Sequence, residues 1–252
     1  HKLLDWINHI RKQSRSGVTA PGELVALEHV VHEMRLFKSP EEIKLMRHAA
    51  EVSARAHVRA MKACRPGLYE YQIEAELVHE FIQEGLRAVA YPSIVAGGKN
   101  ACVLHYTDNN DKLHKGDLLL IDAGVECDHY AADITRTFPV SGQFSEPQRL
   151  LYQLVLDAQA AALEQIRPGV AWNKAHEASV EVLTKGLVAL GLLKGRAKKL
   201  IKDEKYKQFY MHRIGHWLGM DVHDVGDYKI KEDWRLLEPG MVLTVEPGLY
   251  IP

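Results

Sequence analysis

Apolar residues recur at helical spacing in several stretches of this 252-residue chain. Ser39 and Pro40 are typical of the N-cap and first position of a helix, and the apolar residues after them predict a helix to about residue 64. Similar spacing predicts helices over about 70–87, 147–167 and 172–190. Residues 1 to about 37 are predicted to form a helix-like piece, a Gly/Pro turn and a connecting strand.

Short apolar runs between the helices predict strands. They lie after each pair of helices, at 93–95, 118–122, 131–138, 209–218 and 241–246. The order helix, helix, strands therefore occurs twice along the chain.

Two sequence matches support this repeat. Arg65-Pro66-Gly67 follows the first helix of one half, and Arg167-Pro168-Gly169 follows that of the other. The segment 116–124 can also be aligned with 240–248, which places Asp122 on Glu246. We predict two related αβ halves that face each other across a shared cleft.

Composition narrows the class of protein. The chain is 46% apolar and 26% charged, as in ordinary globular proteins. Its net charge of -1 indicates no basic surface for nucleic acid. No apolar stretch approaches the roughly 20 residues of a membrane-spanning helix. Three cysteines without CxxC spacing argue against a disulfide framework and favour a reducing, cytoplasmic location. We therefore expect neither nucleic acid nor membrane as a partner.

The segment 118–138 is typical of a β-hairpin that carries two acids. With the turn centred on Cys127 and Asp128, Asp122 and Asp133 would be cross-strand neighbours with Cβ atoms about 5 Å apart. Two ionised carboxylates at that distance repel unless they share a proton or hold a cation. Because Asp122 ends an apolar run and should be buried, we favour a metal site over a turn with solvated acids.

Histidine is abundant, with fourteen residues, and three of them lie close together in the sequence. Gly215 makes a helix through His212 and His216 improbable, and in a strand these two histidines share one face. With His223 nearby, this favours a functional site over hydrogen-bonded core histidines.

Two more residues are candidates on weaker grounds. Glu246 closes an apolar strand, and its alignment with Asp122 makes it a candidate ligand. His105, among apolar neighbours, is as typical of a protein core as of a catalytic site.

Six motifs occur in the order found in bacterial aminopeptidase P. They are Leu104-His105-Tyr106, 121–124, 133–138, 212–219, 221–226 and 238–248. Across residues 18–252 the chain thus resembles the pita-bread metallopeptidases, which include aminopeptidase P and prolidase. The segment 31–42 favours the aminopeptidase P branch.

The resemblance implies an α+β pita-bread fold, with two pseudo-symmetric αβ halves, a curved antiparallel sheet and outer helices. Residues 1–37 would be the end of an N-terminal domain and a connecting segment. Residues 38–252 would be the catalytic domain, truncated at its C-terminus. The chain begins with His1 and ends within a strand-like segment, so we expect a fragment cut at both ends. The second glutamate ligand of the family lies in a strand beyond residue 252.

The resemblance also implies roles for single residues. Asp122 would bind one metal, Asp133 would bridge both, and His216 would bind the other. Glu246 would bind that second metal and steer protons during hydrolysis. His223 would hydrogen-bond the scissile carbonyl, and the substrate site would be lined by His105, His212 and His223.

The implied activity is that of a metallo-aminopeptidase that releases the N-terminal residue preceding proline, by attack of a hydroxide activated by two metals. Oxygen-rich ligands with one imidazole suit two Mn(II) ions, with cobalt or zinc as alternatives, and we expect a truncated chain to hold them less well. The implied partners are a peptide with proline at its second position and, at full length, further copies of the protein. A prolidase acting on Xaa-Pro dipeptides is the alternative enzyme. A non-catalytic peptide-binding domain is disfavoured, because Asp122, Asp133 and Glu246 are all present.

Overall fold

The computed structural model describes residues 2–251, except for the side chain of His29. Two helices come first, α1 (Lys2–Lys12) and α2 (Glu28–Leu36). The predicted connecting strand is therefore wrong, since α2 occupies most of its place. The adjacent valines Val30 and Val31 favour a strand, but Leu27, Val30, Val31 and Met34 also follow helical spacing.

Contacts with distant residues support α2 as a helix. Arg235 donates two hydrogen bonds to Glu33, each 2.6 Å long, and the side chain of Leu36 is fully buried. Tertiary packing thus overrides the local strand preference of the two valines.

The first half of the fold begins with a helix pair. In α3 (Pro40–Ala63) Ser39 and Glu42 form a capping box, with each side chain bonded to the backbone N–H of the other residue. The predicted helix from residue 40 to about 64 is thereby confirmed. Next, α4 (Glu70–Gln83) packs on α3 and ends four residues earlier than predicted, just before Gly85, whose φ is +82°.

An antiparallel sheet follows the pair, in the order β1 (Ile94–Gly97), β2 (Leu118–Asp122) and β5 (Thr135–Pro139). Leu119 and Ile121 are fully buried in the core formed with α3 and α4. Because side chains alternate along a strand, Asp122 lies on the opposite face. The sheet therefore presents this carboxylate away from the helix-packed core.

The hairpin turn differs from the predicted one. Between the short strands β3 (Glu126–Cys127) and β4 (Tyr130–Ala131), Cys127 pairs with Tyr130. The central turn residues are therefore Asp128 and His129, not Cys127 and Asp128. Both have positive φ, 47° and 71°, as in the type I′ turns that match the twist of a hairpin.

This register changes the partner of Asp122. It pairs with Thr135 rather than with Asp133, so the predicted direct pairing is wrong. The shift is two residues, which equals the side-chain period of a strand. Asp122 and Asp133 consequently remain on the same face of the hairpin.

A second helix pair opens the other half. It consists of α5 (Glu146–Leu163) and α6 (Asn173–Ala189), which pack on each other, and the short α7 (Ala197–Lys202) follows. Both predicted helices are observed, although α5 ends four residues before the predicted boundary. Among residues 2–251, no helix is long and apolar enough to cross a membrane.

The predicted strands at 209–218 and 241–246 are present only as loosely paired, extended segments. The N–H groups of Leu218, Thr244 and Glu246 donate to the carbonyl groups of Val242, His216 and Ile214, at 3.1, 2.9 and 2.8 Å. The ladder is interrupted because the His216 amide donates to the Thr244 hydroxyl instead of a backbone carbonyl. A short hairpin of β6 (Lys229–Ile230) and β7 (Asp233–Trp234) lies between the two segments.

Gly215 allows these segments to approach closely. A Cβ atom at this position would lie 2.1 Å from the carbonyl oxygen of Thr244. We expect Gly215→Ala to lower the free energy of unfolding by about 1–3 kcal/mol, the cost typical of overpacking. Urea denaturation of the variant measures this loss. Gly22→Ala is the matched control, because a Cβ at Gly22 meets no atom within 4 Å. Equal stability of the two variants would contradict the close approach.

Candidate metal centre

A tyrosine joins the two aspartates of the first half. The hydroxyl of Tyr91 lies 2.6 Å from Asp122 Oδ1 and 2.9 Å from Asp133 Oδ1. A hydroxyl carries a single proton, so it donates to one carboxylate at a time. Burial and the nearby Asp133 carboxylate raise the pKa of Asp122 to about 7. The pair is thus held together in a setting where two negative charges are costly unless a cation joins them.

His216 faces the same place from the second half. Its Nδ1 donates to the Trp217 carbonyl oxygen at 2.9 Å, which leaves Nε2 directed at Asp133 Oδ2, 3.1 Å away, and at Glu246 Oε1, 3.3 Å away. Burial opposes the charged form, yet hydrogen bonds to Asp133 and Glu246 raise the pKa of His216 to about 10. The imidazole nitrogen therefore sits between two carboxylates, where either a proton or a metal ion is favoured.

Glu246 is positioned by its own segment. The hydroxyl of Thr244 donates to Glu246 Oε1 at 2.7 Å, and the Glu246 amide donates to the Ile214 carbonyl. One oxygen of Asp133, one of Glu246 and one nitrogen of His216 lie within 4.8 Å of one another. Two carboxylates with one imidazole form a donor set that suits a divalent cation of the manganese, cobalt or zinc type.

The structure thus brings three of the four predicted ligands into one cluster and places the fourth, Asp122, beside it through Tyr91. The importance of Tyr91 is not evident from the sequence. A tyrosine shortly before a strand carries no distinctive signal, and only the folded chain places its hydroxyl between the two aspartates.

Of the other predicted site residues, His223 lies nearest to the cluster. Its ring meets the His216 ring edge to face, with centroids 4.3 Å apart. Burial and the charge on His216 lower the pKa of His223, with a smaller contribution from His105. His105 is exposed and has a φ of +56°.

His212 lies in the same extended segment as His216, four residues before it. Its Nδ1 donates to the Arg213 carbonyl at 2.7 Å, and the Tyr250 hydroxyl lies 3.1 Å from its Nε2. Its ring also contacts Tyr210 edge to face. The structure therefore places His212 among aromatic side chains and outside the three-residue cluster.

A buried ion pair holds the loop that carries His223. Asp224 Oδ2 accepts a hydrogen bond of 2.9 Å from Lys38 Nζ, and only 1% of each side chain is exposed. Arg35 contacts both Asp224 and Asp221. A Cβ atom at Gly219 would lie 2.0 Å from Asp224 Oδ2, so this glycine is required for the close packing. The connection from α2 to α3 is thereby fastened to the histidine loop.

Comparison with known proteins identifies the family. A sequence model described as metallopeptidase family M24 matches residues 44–252. The chain belongs to this family. As a member of the M24 metallopeptidases, it has the pita-bread fold that its sequence motifs implied. Membership also implies divalent metal ions, for which the cluster of Asp133, His216 and Glu246 is the candidate site.

The relatives of this M24 chain include two bacterial Xaa-Pro aminopeptidases. That of Escherichia coli (strain K12) is 51% identical over 245 residues, which are 97% of this chain and 55% of the relative. That of Haemophilus influenzae is 53% identical over 229 residues, which are 91% of this chain and 53% of the relative. The M24 chain thus spans about half the length of the curated relatives it matches.

Solved structures show the same similarity. The structure of Pseudomonas aeruginosa aminopeptidase PepP is 60% identical, with a TM-score of 0.96, covering 100% of this chain and 57% of the other. Zinc-substituted Escherichia coli aminopeptidase P in complex with product is 51% identical, with a TM-score of 0.93, covering 98% of this chain and 56% of the other.

Proposed function

We propose that the protein containing this chain is a metal-dependent Xaa-Pro aminopeptidase. The observation that carries the proposal is the convergence of Asp133, His216 and Glu246 within 4.8 Å, with Asp122 linked to them through Tyr91. The relatives named Xaa-Pro aminopeptidase supply the substrate class. The substrate is then a peptide with proline at its second position.

The proposed ligands are Asp122, Asp133, His216 and Glu246, and the proposed ions are two Mn(II), with cobalt or zinc as alternatives. When bound, divalent ions would lower the pKa of water and polarise the peptide carbonyl. Three carboxylates offset much of the charge of two such ions. Asp133 would help to hold both ions, because its two oxygens face different members of the site, Tyr91 and His216.

Two residues act on protons in this proposal. Glu246 Oε1 is occupied by the Thr244 hydroxyl, whereas Oε2 has no protein donor among residues 2–251. This oxygen can take a proton from the attacking water and return it to the leaving amine. His223 donates a ring N–H to the scissile carbonyl oxygen as negative charge develops there. His105 and His212 line the substrate site.

The proposed domain division is the one that the motif resemblance implies. Residues 1–37 form the end of an N-terminal domain and a connecting segment, and residues 38–252 belong to the catalytic domain. The Arg35–Asp224 and Glu33–Arg235 ion pairs cross this boundary and support a fixed connection between the two. We further propose a homo-oligomer at full length and a cytoplasmic location.

The test is peptide hydrolysis by the full-length protein, paired with metal analysis. We expect cleavage of an Xaa-Pro-Xaa tripeptide after its first residue, loss of activity on chelation, and recovery with Mn(II). The matched control is the same tripeptide with alanine in place of proline, which should react far more slowly. Cleavage of Xaa-Pro dipeptides alone would indicate a prolidase. Full metal content without cleavage of either peptide would indicate a non-catalytic domain.

A further inference from the structure

The segment that carries His105 has little regular structure of its own. It runs from the end of β1 to the start of β2 and contains only one short 3-10 turn, Gly98–Cys102. His105 lies within it at a φ of +56° and is exposed. A side chain on such a loop holds a fixed place only if the loop is anchored elsewhere.

One buried carboxylate anchors the loop at four points. Glu70, the first residue of α4, is 0% exposed. Its Oε1 accepts hydrogen bonds from Gly97 N at 2.7 Å and Asn100 Nδ2 at 3.0 Å. Its Oε2 accepts from Tyr106 Oη at 2.7 Å and Asp111 N at 2.9 Å. All four donors belong to the end of β1 or to the loop after it.

The charge on Glu70 is balanced without a cation. Within residues 2–251, the carboxylate forms no salt bridge with a lysine or arginine. Four hydrogen bonds and the positive end of the α4 dipole stabilise it instead. Burying a carboxylate is costly unless such bonds are complete, so loss of any of them weakens the attachment of the loop to α4.

This anchor is connected to the proposed active site at both ends of the segment. Tyr106, which Glu70 holds, directly follows His105. At the other end of β1, Ile94 pairs with Asp122. The loop thus leaves the sheet from a strand that borders the proposed metal ligand Asp122.

We propose that Glu70 is a positioning residue of the substrate site, which acts by clamping the 97–111 loop so that His105 is presented to the bound peptide. The inference rests on the proposed aminopeptidase function and deepens it. Glu70 does not touch the substrate, and its whole effect on catalysis passes through His105.

The test is a double-mutant cycle in the full-length, metal-loaded enzyme. Glu70→Gln replaces an acceptor oxygen by an NH₂ group that faces two donors. We expect kcat/KM for a Xaa-Pro-Xaa peptide to fall about 10- to 100-fold, the scale of a small misplacement, at unchanged metal content. His105→Asn is the second substitution, because asparagine tolerates positive φ. In that background Glu70→Gln should change kcat/KM by less than about 2-fold.

A matched control separates positioning from general stability. Glu42 is also a first-turn helix glutamate that accepts from a backbone N–H and a tyrosine hydroxyl, those of Ser39 and Tyr130. Glu42→Gln should lower the stability of the protein. Its effect on kcat/KM should be small, and equal in the wild-type and His105→Asn backgrounds. If Glu70→Gln does not fold, Tyr106→Phe removes only one hydroxyl and enters the same cycle, with an expected loss of about 10-fold or less.

The outcomes are distinguishable. Non-additive loss for Glu70→Gln or Tyr106→Phe, with additive behaviour for Glu42→Gln, supports the proposal. If the wild-type enzyme is active but the kcat/KM losses of Glu70→Gln and His105→Asn are additive, the positioning role is wrong and the proposed function stands. A wild-type enzyme that loads metal but cleaves no Xaa-Pro peptide overturns the proposed function, and the positioning role with it.

Discussion

Asp133→Asn in the full-length protein is expected to lower turnover at least ~10²-fold and to reduce the bound metal. The substitution keeps the size of the side chain and removes one negative charge. Asp133 is central among the proposed ligands, because one oxygen contacts Tyr91 and the other faces His216 Nε2 at 3.1 Å. An uncharged amide there leaves the cations with less negative charge and directs N–H groups at them.

Metal analysis and kcat, measured on the same preparation, check this prediction. Asp128→Asn is the matched control. It removes an equal charge from the same hairpin, at an exposed turn position whose positive φ of 47° asparagine also tolerates. The control should keep both metal and activity. Near-normal turnover of Asp133→Asn with full metal content would show that Asp133 is not a ligand.

The sequence predicted the structure correctly wherever neighbouring residues determine it. Ser39, Pro40 and Glu42 specify the start of α3 through a capping box. Alternation along 118–122 places Asp122 on the face away from the core. For the hairpin, the predicted turn was wrong by one position, but the two-residue period kept both aspartates on one face. That is why an incorrect register still brought Asp122 and Asp133 together.

The sequence did not predict the features that depend on contacts between distant residues. The helix α2 depends on packing of Leu36 and on the Glu33–Arg235 pair, which are formed only in the folded chain. Tyr91 and Glu70 carry no motif, and their importance lies in which groups the fold brings to their oxygens. The His212 segment resembled a strand, but the Thr244 hydroxyl replaces one of its backbone acceptors.

A contrast between two histidines is expected to separate catalysis from metal binding. His216→Ala removes a nitrogen that lies within 4.8 Å of two carboxylate oxygens, so the variant should lose metal first and activity as a consequence. His223→Ala should keep its metal, because the His223 ring lies outside this cluster and contacts it through the His216 ring.

The expected loss for His223→Ala is in kcat, by roughly 10²–10³-fold, the scale for removal of one donor to a developing oxyanion. An interaction that strengthens in the transition state raises turnover more than it tightens substrate binding, so KM should change less than kcat. His48→Ala is the control, since this histidine is exposed on α3 and alanine suits a helix. It should alter neither metal content nor kcat.

Metal stoichiometry and kcat measured side by side on the three variants decide between the roles. Metal loss in His223→Ala with retention in His216→Ala would mean that the two histidines have exchanged roles. Full metal and full activity in both would remove this region from the active site.

The geometry argues against both results. His216 holds its Nε2 toward Asp133 and Glu246 by donating Nδ1–H to the Trp217 carbonyl, an orientation typical of metal-binding histidines. Among residues 2–251 the His223 ring forms no side-chain hydrogen bond, and its neighbour Asp224 is fixed by the buried pair with Lys38, which leaves the ring nitrogens available to a substrate.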